Sequence, residues 1–211
     1  MRLPLENLNN TRDLGGIQTR DGRRIRKDRL YRSGHLFAAS PKDLAVLAER
    51  VGLVADFRSL SERTEKPDPD FGQEYVHLPI FDVPAASVER DEASNEASFH
   101  TVARDPKGAT AYMLRTYRSF VTDGFARAQY AKFIRLLTEP RDKAALWHCT
   151  AGKDRAGFAT ILVLELLGAD RETIRSDYLA TNAYLAEECR FLVSFLGEKY
   201  GGLTPEIEEA L

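Results

Sequence analysis

The stretch AALWHCTAGKDRAGFATILVLELL, residues 144–167, contains the part of the sequence that decides the fold. The apolar run from Ala144 to His148 predicts a buried strand, and the run from Gly157 to Leu167 predicts a helix. A short loop that contains Gly152 joins the two elements. We therefore expect a strand, a glycine-containing loop and a helix in direct succession, and such a unit is typical of α/β folds.

Cys149 and Arg155 stand at the two ends of this loop, with five residues between them. The amide groups of a tight turn and of a helix N-terminus point into such a loop and make it a binding site for anions. The same field stabilises a cysteine thiolate, which is the nucleophilic form of the side chain. Arg155 adds a planar fork of donors that matches two phosphate oxygens. The pattern predicts Cys149 as a nucleophile and Arg155 as a phosphate clamp.

The whole loop is predicted to contact a phosphate group. The predicted phosphate-binding residues are Thr150, Ala151, Gly152, Lys153, Asp154 and Arg155. A Cys-x5-Arg pattern also arises by chance around a structural cysteine, but here the spacing coincides with a strand, a glycine-bearing loop and a helix. Lys153 is either a second cation beside the phosphate or a solvated lysine. Cys189 follows two glutamates and is predicted to be an ordinary helix residue.

Strands and helices alternate along the rest of the chain, which predicts the α/β class. The predicted strands are Leu30 to Ser33, Leu53 to Phe57 and Tyr75 to Ile80. A helix is predicted after the start signal Ser40-Pro41 and is predicted to end at Gly52. Two further amphipathic helices are predicted at 112–121 and 125–137.

Residues 84–108 contain few large apolar side chains and many Ala, Ser, Glu and Asp. Such a composition is poor material for a core and predicts a mobile lid or an exposed loop. The sequence therefore predicts a single domain over residues 1–211, with a lid or insertion at about 84–122.

Composition limits the classes of function. The chain has 211 residues, enough for one sizeable core. Its 30 Lys and Arg against 32 Asp and Glu give a net charge of −2, which excludes a global field for nucleic acid or an acidic membrane. Two cysteines do not form a secreted disulfide framework, and no apolar run suits a signal peptide or a membrane span. We expect a cytoplasmic protein.

Three further segments carry recognisable patterns. They are Asn9-Asn10-Thr11-Arg12-Asp13-Leu14-Gly15-Gly16, Leu30-Tyr31-Arg32-Ser33-Gly34 and Asp56-Phe57-Arg58-Ser59. Together with the Cys149 loop they resemble the signatures of the atypical bacterial tyrosine/serine protein phosphatases, also called triple-specificity phosphatases. The resemblance covers most of the chain. It implies a protein tyrosine phosphatase fold with a central, mostly parallel sheet flanked by helices, no metal or other cofactor, and hydrolysis through a phosphocysteine intermediate.

The resemblance also implies a substrate class, which is a phosphorylated protein or a phosphoinositide. Phosphotyrosine is the expected substrate, with phosphoserine, phosphothreonine and phosphoinositides as further candidates. Two other classes of function remain open, a rhodanese-like sulfurtransferase and a weakly active protein that binds phosphorylated ligands. The intact Cys149, Gly152 and Arg155 favour the phosphatase. The physiological substrate and the oligomeric state do not follow from the sequence.

Two aspartates are candidates for the general acid that protonates the leaving oxygen. Asp154 lies in the loop, where the family has a proposed acid, and its alternative role is to bond loop amides. Asp82 follows a strand and resembles the acid-bearing loop of dual-specificity phosphatases, and its alternative role is that of an exposed turn residue. Asp56, at a strand end, is predicted to be a buried partner of an arginine such as Arg58 or Arg12.

The remaining candidates lie around the loop. Arg12 and Asp13 are predicted either to line the mouth of the pocket, as the family signature implies, or to form an ion pair that stabilises a turn. His148 is predicted to bond the loop backbone and steady Cys149 rather than to act as a base.

The family carries Thr or Ser after the arginine, and this chain has Ala156. The resemblance implies that a hydrogen bond to the cysteine sulfur is lost and that phosphocysteine hydrolysis is slower. The alternative is that Thr150 or a bound water donates this bond, or that the first step limits turnover, and Ala156 then has no effect.

Overall fold

A five-stranded sheet forms the centre of the molecule. The computed structural model describes residues 2–8, 10–81, 106–200 and 202. The strands are β1 (Arg12–Asp13), β2 (Leu30–Ser33), β3 (Val51–Asp56), β4 (Glu74–His77) and β5 (Ala144–His148). Their order across the sheet is β1-β2-β5-β3-β4, and all neighbours are parallel except β1 and β2. This confirms the predicted α/β class with a mostly parallel sheet.

Helices connect the parallel strands and cover the sheet. In the described part of the chain they are α1 (Pro41–Arg50), α2 (Leu60–Glu65), α3 (Pro106–Thr122), α4 (Gly124–Thr138), α5 (Arg155–Leu166), α6 (Arg171–Tyr184) and α7 (Ala186–Tyr200). α1 links β2 to β3, and α2 links β3 to β4. α5 follows β5 directly after the loop. Parallel neighbours need such crossover connections, so the connectivity agrees with the strand directions.

The sequence predicted β2 and β5 with the bounds that the structure shows. The prediction that Gly52 ends the first helix is wrong, because α1 ends at Arg50 and Gly52 lies inside β3. Val51 and Leu53 pair with consecutive residues of β5, so Gly52 is the extra residue of a bulge. Its glycine signal therefore marks an irregularity of the strand and not a helix end.

The strand β4 is shorter than predicted. It ends at His77, although the sequence predicted a strand that continues to Ile80. Pro79 lacks the amide proton that a ladder of hydrogen bonds requires, and this explains the early end. The first residues of β4 still extend the sheet beyond β3.

Two apolar layers cover the two faces of the sheet. Successive side chains of a strand point to opposite faces, so Val54 and Leu146 lie in one layer while Ala55 and Trp147 lie in the other. α1 and the N-terminal segment cover the first layer, and α3, α4 and α5 cover the second. The second layer contains aromatic rings in mutual contact, which are Phe57, Phe120, Tyr130, Phe133, Trp147 and Phe158.

The region predicted as a lid is described only in part. The helices predicted at 112–121 and 125–137 are confirmed as α3 and α4. Residues 84–105 lie outside the described residues, so the lid or insertion at about 84–122 stays a prediction. None of the described helices is both long enough and apolar enough to cross a lipid bilayer.

One edge of the sheet brings the sequence signatures together. Ser33 at the end of β2 and Asp56 at the end of β3 both pair with His148 at the end of β5. Because these strands are parallel, the segments that follow them leave the sheet at the same edge. Those segments begin with Gly34, with Phe57 and with Cys149. The edge is therefore the position at which to look for a site.

Candidate active site

The loop 149–154 starts at the carboxyl end of the central strand β5 and ends at the first turn of α5. Cys149 is buried, with 2% of its surface exposed. The amide of Phe57 donates to the carbonyl of His148 at 3.0 Å, which ties the segment after β3 to the start of the loop. The strand, loop and helix that the sequence predicted are thus confirmed, with α5 starting two residues before the predicted Gly157.

Gly152 is the residue that lets the loop approach the sheet. It has a positive φ of 69°, a conformation that favours glycine. A Cβ at this position would lie 2.3 Å from the carbonyl oxygen of Ser33, which leaves no room for a side chain. The signature after β2 and the loop therefore pack backbone against backbone.

The carbonyl groups of the loop point away from its centre. The amide of His35 donates to the carbonyl of Thr150, and the side-chain amide of Asn10 donates to the carbonyl of Ala151, each at 2.9 Å. A peptide group directs its N–H opposite to its carbonyl. Because donors outside the loop hold the carbonyls, the following amides face the concave side, as an anion site requires.

Arg155 is held on one edge by a carboxylate. Its Nη1 and Nη2 atoms donate to the two oxygens of Glu62 at 2.7 Å each, and Nη1 also lies 3.4 Å from the carbonyl of Phe57. The Nε group has no partner among the residues that the structure describes, whereas Nη2 also lies 3.3 Å from the hydroxyl of Thr150. An anion that binds along the edge formed by Nε and Nη2 would displace that hydroxyl. Bidentate recognition of phosphate uses such an edge.

Glu62 reaches this position because it sits in the first turn of α2. Ser59 and Glu62 form a reciprocal capping box at the start of this helix. Burial acts to raise the pKa of Glu62, but its bonds to Arg155 and Thr150 hold that pKa well below its ordinary value. The capping box is visible in the sequence, whereas the contact with Arg155 joins residues 93 positions apart and was missed.

Behind the start of the loop lies a buried group that we call the strand-side cluster, formed by Asp56, Arg58, Asp68 and His148. Arg58 donates to Asp56 at 2.9 Å and to Asp68 at 2.6 Å. His148 contacts the carbonyl of Cys149 through Nδ1 at 3.1 Å, and its Nε2 lies 3.0 Å from Asp68. This confirms the contact predicted for His148 and the pairing of Asp56 with Arg58.

The carboxylates of this cluster could in principle bind a cation. Ligand atoms of Asp56, Asp68 and His148 lie within 4.8 Å of one another. Arg58 already donates to both carboxylates, and Tyr75 donates to Asp56 as well. A guanidinium group supplies the positive charge that a metal ion would supply, so these residues fit an arginine and not a metal.

Behind the end of the loop lies a second group, which we call the helix-side cluster, formed by Arg12, Arg32 and Asp177. Asp177, on α6, accepts from Arg12 at 2.8 Å and from Arg32 at 2.7 Å. Arg32 also donates to the carbonyl of Gly152 at 2.7 Å. The two arginines are buried, with 2% and 0% of their surface exposed. Asp177 thus supports the loop through Arg32.

Arg12 was predicted either to line the pocket mouth or to form an ion pair, and the helix-side cluster shows it in an ion pair with Asp177. Because its side chain is buried and bonded to Asp177, Arg12 lies in the support behind the loop and not at the mouth of a pocket. Asp13 accepts from the amides of Gly15 and Asp28, at 2.8 and 3.0 Å, and so stabilises the turns that follow β1. Asp177 was missed by the sequence analysis, since nothing in the pattern of α6 distinguishes it from an exposed helix position.

Asp154 is surrounded by tyrosines. It occupies the N-cap position of α5, yet its carboxylate makes no capping bond, so the alternative role as an acceptor for amides is not what the structure shows. Its Oδ1 atom accepts from the hydroxyl of Tyr117, which is also bonded to the hydroxyl of Tyr178. Asp82, the other candidate acid, lies outside the described residues, and its role stays a prediction.

Three other positions complete the site. Lys153 is an exposed residue of the loop, and Cys189 is exposed on α7. Ala156 is fully buried. The hydroxyl of Thr150 donates to Glu62 and is therefore turned away from the role of a donor to Cys149. The absence of a hydroxyl at Ala156 is not compensated by Thr150 in this arrangement.

Comparisons with known proteins agree with the geometry of the loop. A triple specificity protein phosphatase of Mycobacterium tuberculosis, PtpB, is 35% identical over 75% of this chain and 62% of its own length. A protein of Cupriavidus necator, whose name provisionally assigns it as a tyrosine-protein phosphatase, is 39% identical over 85% of this chain and 63% of its own length. The chain therefore spans less than two thirds of either relative.

Family and structural comparisons extend this result. The solved structure of TpbA from P. aeruginosa with pTyr aligns at 15% identity over 74% of this chain and 70% of that chain, with a TM-score of 0.35, and this likeness carries no weight for function. The model of the tyrosine phosphatase family matches residues 3–201, which include the loop and both buried clusters. The chain belongs to the tyrosine phosphatase family.

Proposed function

We propose that the protein is a cysteine-dependent phosphomonoesterase that acts on phosphotyrosine, and also on phosphoserine, phosphothreonine or phosphoinositides. The observation that carries the proposal is the joint placement of Cys149 and Arg155. The sulfur lies at the start of a loop whose carbonyls are turned outward, and the Nε group of the arginine has no partner among the described residues and can bind an anion. The names of the two relatives support the same substrate class.

The proposed reaction has two steps. In the first step the Cys149 thiolate attacks phosphorus, the bond to the leaving oxygen breaks, and that oxygen takes a proton from the general acid. In the second step water attacks the phosphocysteine, the P–S bond breaks, the thiolate returns, and the proton of the water passes to the carboxylate. Arg155 and the loop amides stabilise the charge on the phosphoryl oxygens in both steps.

We assign Asp154 as the general acid in preference to Asp82. Asp154 immediately precedes Arg155, and Tyr117 anchors only its Oδ1 atom. The Oδ2 atom has no partner in the part of the chain that the structure describes, so it is available to carry the proton. If this assignment holds, Asp154→Asn loses more activity on phenyl phosphate than on p-nitrophenyl phosphate, because the poorer leaving group needs the proton more. The same comparison with Asp82→Asn tests the other candidate.

The nucleophile and the clamp are tested with two substitutions. Cys149→Ser should abolish turnover of p-nitrophenyl phosphate and still bind inorganic phosphate, because the hydroxyl is not ionised while the loop remains. Arg155→Lys should lose at least tenfold in kcat/KM, since a point charge cannot give bidentate geometry. Cys189→Ser serves as the matched control and should keep its activity. Near-normal turnover by Cys149→Ser would refute the nucleophile.

Substrate class and the alternative function need separate assays. Turnover of thiosulfate without turnover of p-nitrophenyl phosphate would show that the protein is a sulfurtransferase and not a phosphatase. Loss of activity on treatment with EDTA would contradict a metal-independent reaction.

Substrate preference is measured by comparing the rates on phosphotyrosine, phosphoserine and phosphoinositide substrates. Because Lys153 is an exposed residue of the loop, Lys153→Ala should slow phosphoinositide hydrolysis more than phosphotyrosine hydrolysis. Both cysteines are free, which fits a reducing compartment such as the cytoplasm.

A further inference from the structure

The contacts of Asp154 reach two helices that the phosphatase motif does not include. Tyr117 lies on α3 and Tyr178 lies on α6, and both tyrosines are half buried. Their hydroxyls bond to each other, and the hydroxyl of Tyr117 donates to Oδ1 of Asp154. The three groups form a continuous hydrogen-bonded chain that ends on the proposed acid.

The direction of the chain follows from the number of protons. A tyrosine hydroxyl has one proton to donate. Because Tyr117 gives its proton to the carboxylate, it can only accept from Tyr178, so the donors run from Tyr178 through Tyr117 to Asp154. Burial, followed by the bond to Asp154, raises the pKa of Tyr117 well above its ordinary value, so this hydroxyl keeps its proton at working pH.

Packing holds both rings in place. The ring of Tyr117 contacts Phe120 at a centroid distance of 5.3 Å, and Phe120 is fully buried. The ring of Tyr178 lies against Gly157, where an added Cβ would approach it to 3.0 Å. A tyrosine side chain has two main rotatable bonds, and the packing of its ring restricts both. The positions of the two hydroxyls are therefore fixed by the helices that carry the rings.

We propose that Tyr117 and Tyr178 are positioning residues for the general acid, a role that rests on the proposed function of Asp154. Tyr117 occupies Oδ1 of the carboxyl group, which leaves Oδ2 as the oxygen that carries the proton to the leaving group. Tyr178 fixes the hydroxyl of Tyr117 in the orientation that donates to Asp154. Within the described part of the chain, the hydrogen bonds of the two hydroxyls go to Asp154 and to each other and not to Cys149 or Arg155.

The test measures kcat/KM, which reports the first chemical step, for phenyl phosphate and for p-nitrophenyl phosphate. For Tyr117→Phe we expect kcat/KM to fall roughly tenfold on phenyl phosphate and less than about threefold on p-nitrophenyl phosphate. The loss is smaller than the full contribution of a general acid, because Asp154 itself remains. Tyr178→Phe should show the same preference with a smaller loss, because it acts through Tyr117. Tyr112→Phe, an exposed position on the same helix, is the matched control and should change neither rate.

A double substitution separates positioning from a general loss of structure. If Tyr117 acts only through Asp154, Tyr117→Phe should cost nothing further on phenyl phosphate in the Asp154→Asn background. Additive losses, or equal losses on both substrates in Tyr117→Phe and Tyr178→Phe, would overturn the inference. If Asp154→Asn itself shows no leaving-group preference, the proposed acid is wrong and the inference fails with it. If Asp154→Asn shows the preference and neither tyrosine variant does, only the inference fails.

Discussion

The two charged clusters behind the phosphate loop differ in their balance of charge. In the strand-side cluster two carboxylates, Asp56 and Asp68, share one buried arginine, and the partly exposed Arg63 lies 3.7 Å from Asp56. In the helix-side cluster one carboxylate, Asp177, is shared by two arginines. The second arrangement has an excess of positive charge next to the loop that we propose as an anion site. Asp177 is also the one carboxylate among the residues that define this cluster. A substitution of Asp177 should therefore destabilise the protein more than a substitution of either carboxylate in the strand-side cluster.

The largest effect on stability is therefore expected at Asp177. Asp177→Asn would leave Arg12 and Arg32 buried without a counter-charge, and removing one partner of a buried ion pair costs about 3–5 kcal/mol. The free energy of unfolding from urea titrations measures the loss. A loss under about 1 kcal/mol would mean that the two arginines are compensated elsewhere, and the contrast between the clusters would then disappear.

A smaller loss is expected on the strand side. Asp68→Asn removes the bond to Arg58 and the contact with His148, but Asp56 still pairs with Arg58. We expect a loss of about 2–3 kcal/mol, the range for one hydrogen bond to a charged group. The same urea titration gives the value. If Asp68→Asn destabilises the protein more than Asp177→Asn does, the remaining carboxylate of Asp56 does not compensate for the charge of Arg58.

Acid should weaken the strand-side cluster in a defined pH range. Burial acts to raise the pKa of Asp56, but His148 and Arg58 lower it from 3.8 to about 2. A carboxyl group whose pKa is lower in the folded than in the unfolded protein stabilises the fold at every pH above the unfolded pKa. This contribution is lost as the pH falls from about 4 towards 2. The shift corresponds to about 2 kcal/mol. Unfolding free energies measured across this range should decline less steeply in Asp56→Asn than in the native protein.

The smallest effect is expected from a neutral contact with the same loop. Tyr130 donates to the carbonyl of Arg155 at 3.2 Å, and its ring is buried. Tyr130→Phe keeps the ring and removes one neutral hydrogen bond, which costs about 1 kcal/mol. A loss as large as that of Asp68→Asn would show that charge is not what distinguishes the two clusters from other contacts. Thermal or urea unfolding is sufficient to measure it.

The clusters also differ in how far the sequence could predict them. Asp56 and Arg58 are two positions apart at a predicted strand end, and this local pattern gave their pairing correctly. The strand and helix on either side of the loop were predicted for the same reason, because periodicity is a local signal. Asp177 lies 165 positions from Arg12 and 145 from Arg32. No local pattern contains such a contact.

The same limit explains the other residues that were missed. Glu62 carries a visible helix-capping pattern, but the direction of its carboxylate towards Arg155 depends on how β3 and β5 pair. Tyr117 belongs to the apolar stripe of the amphipathic helix predicted at 112–121, and no local pattern marks Tyr178. Gly52 was misread because a bulge and a helix end share the same residue preference. The sequence thus predicted the strand and the helix on either side of the loop better than the residues that hold the loop in place.

The distance between Arg12 and Asp177 along the chain has a consequence for biosynthesis. A nascent polypeptide that has reached Arg155 already contains every residue of the phosphatase motif. The carboxylate that neutralises Arg12 and Arg32 is added only later, when α6 is translated. We therefore expect Arg32 to hold the loop in its native position only after α6 has left the ribosome.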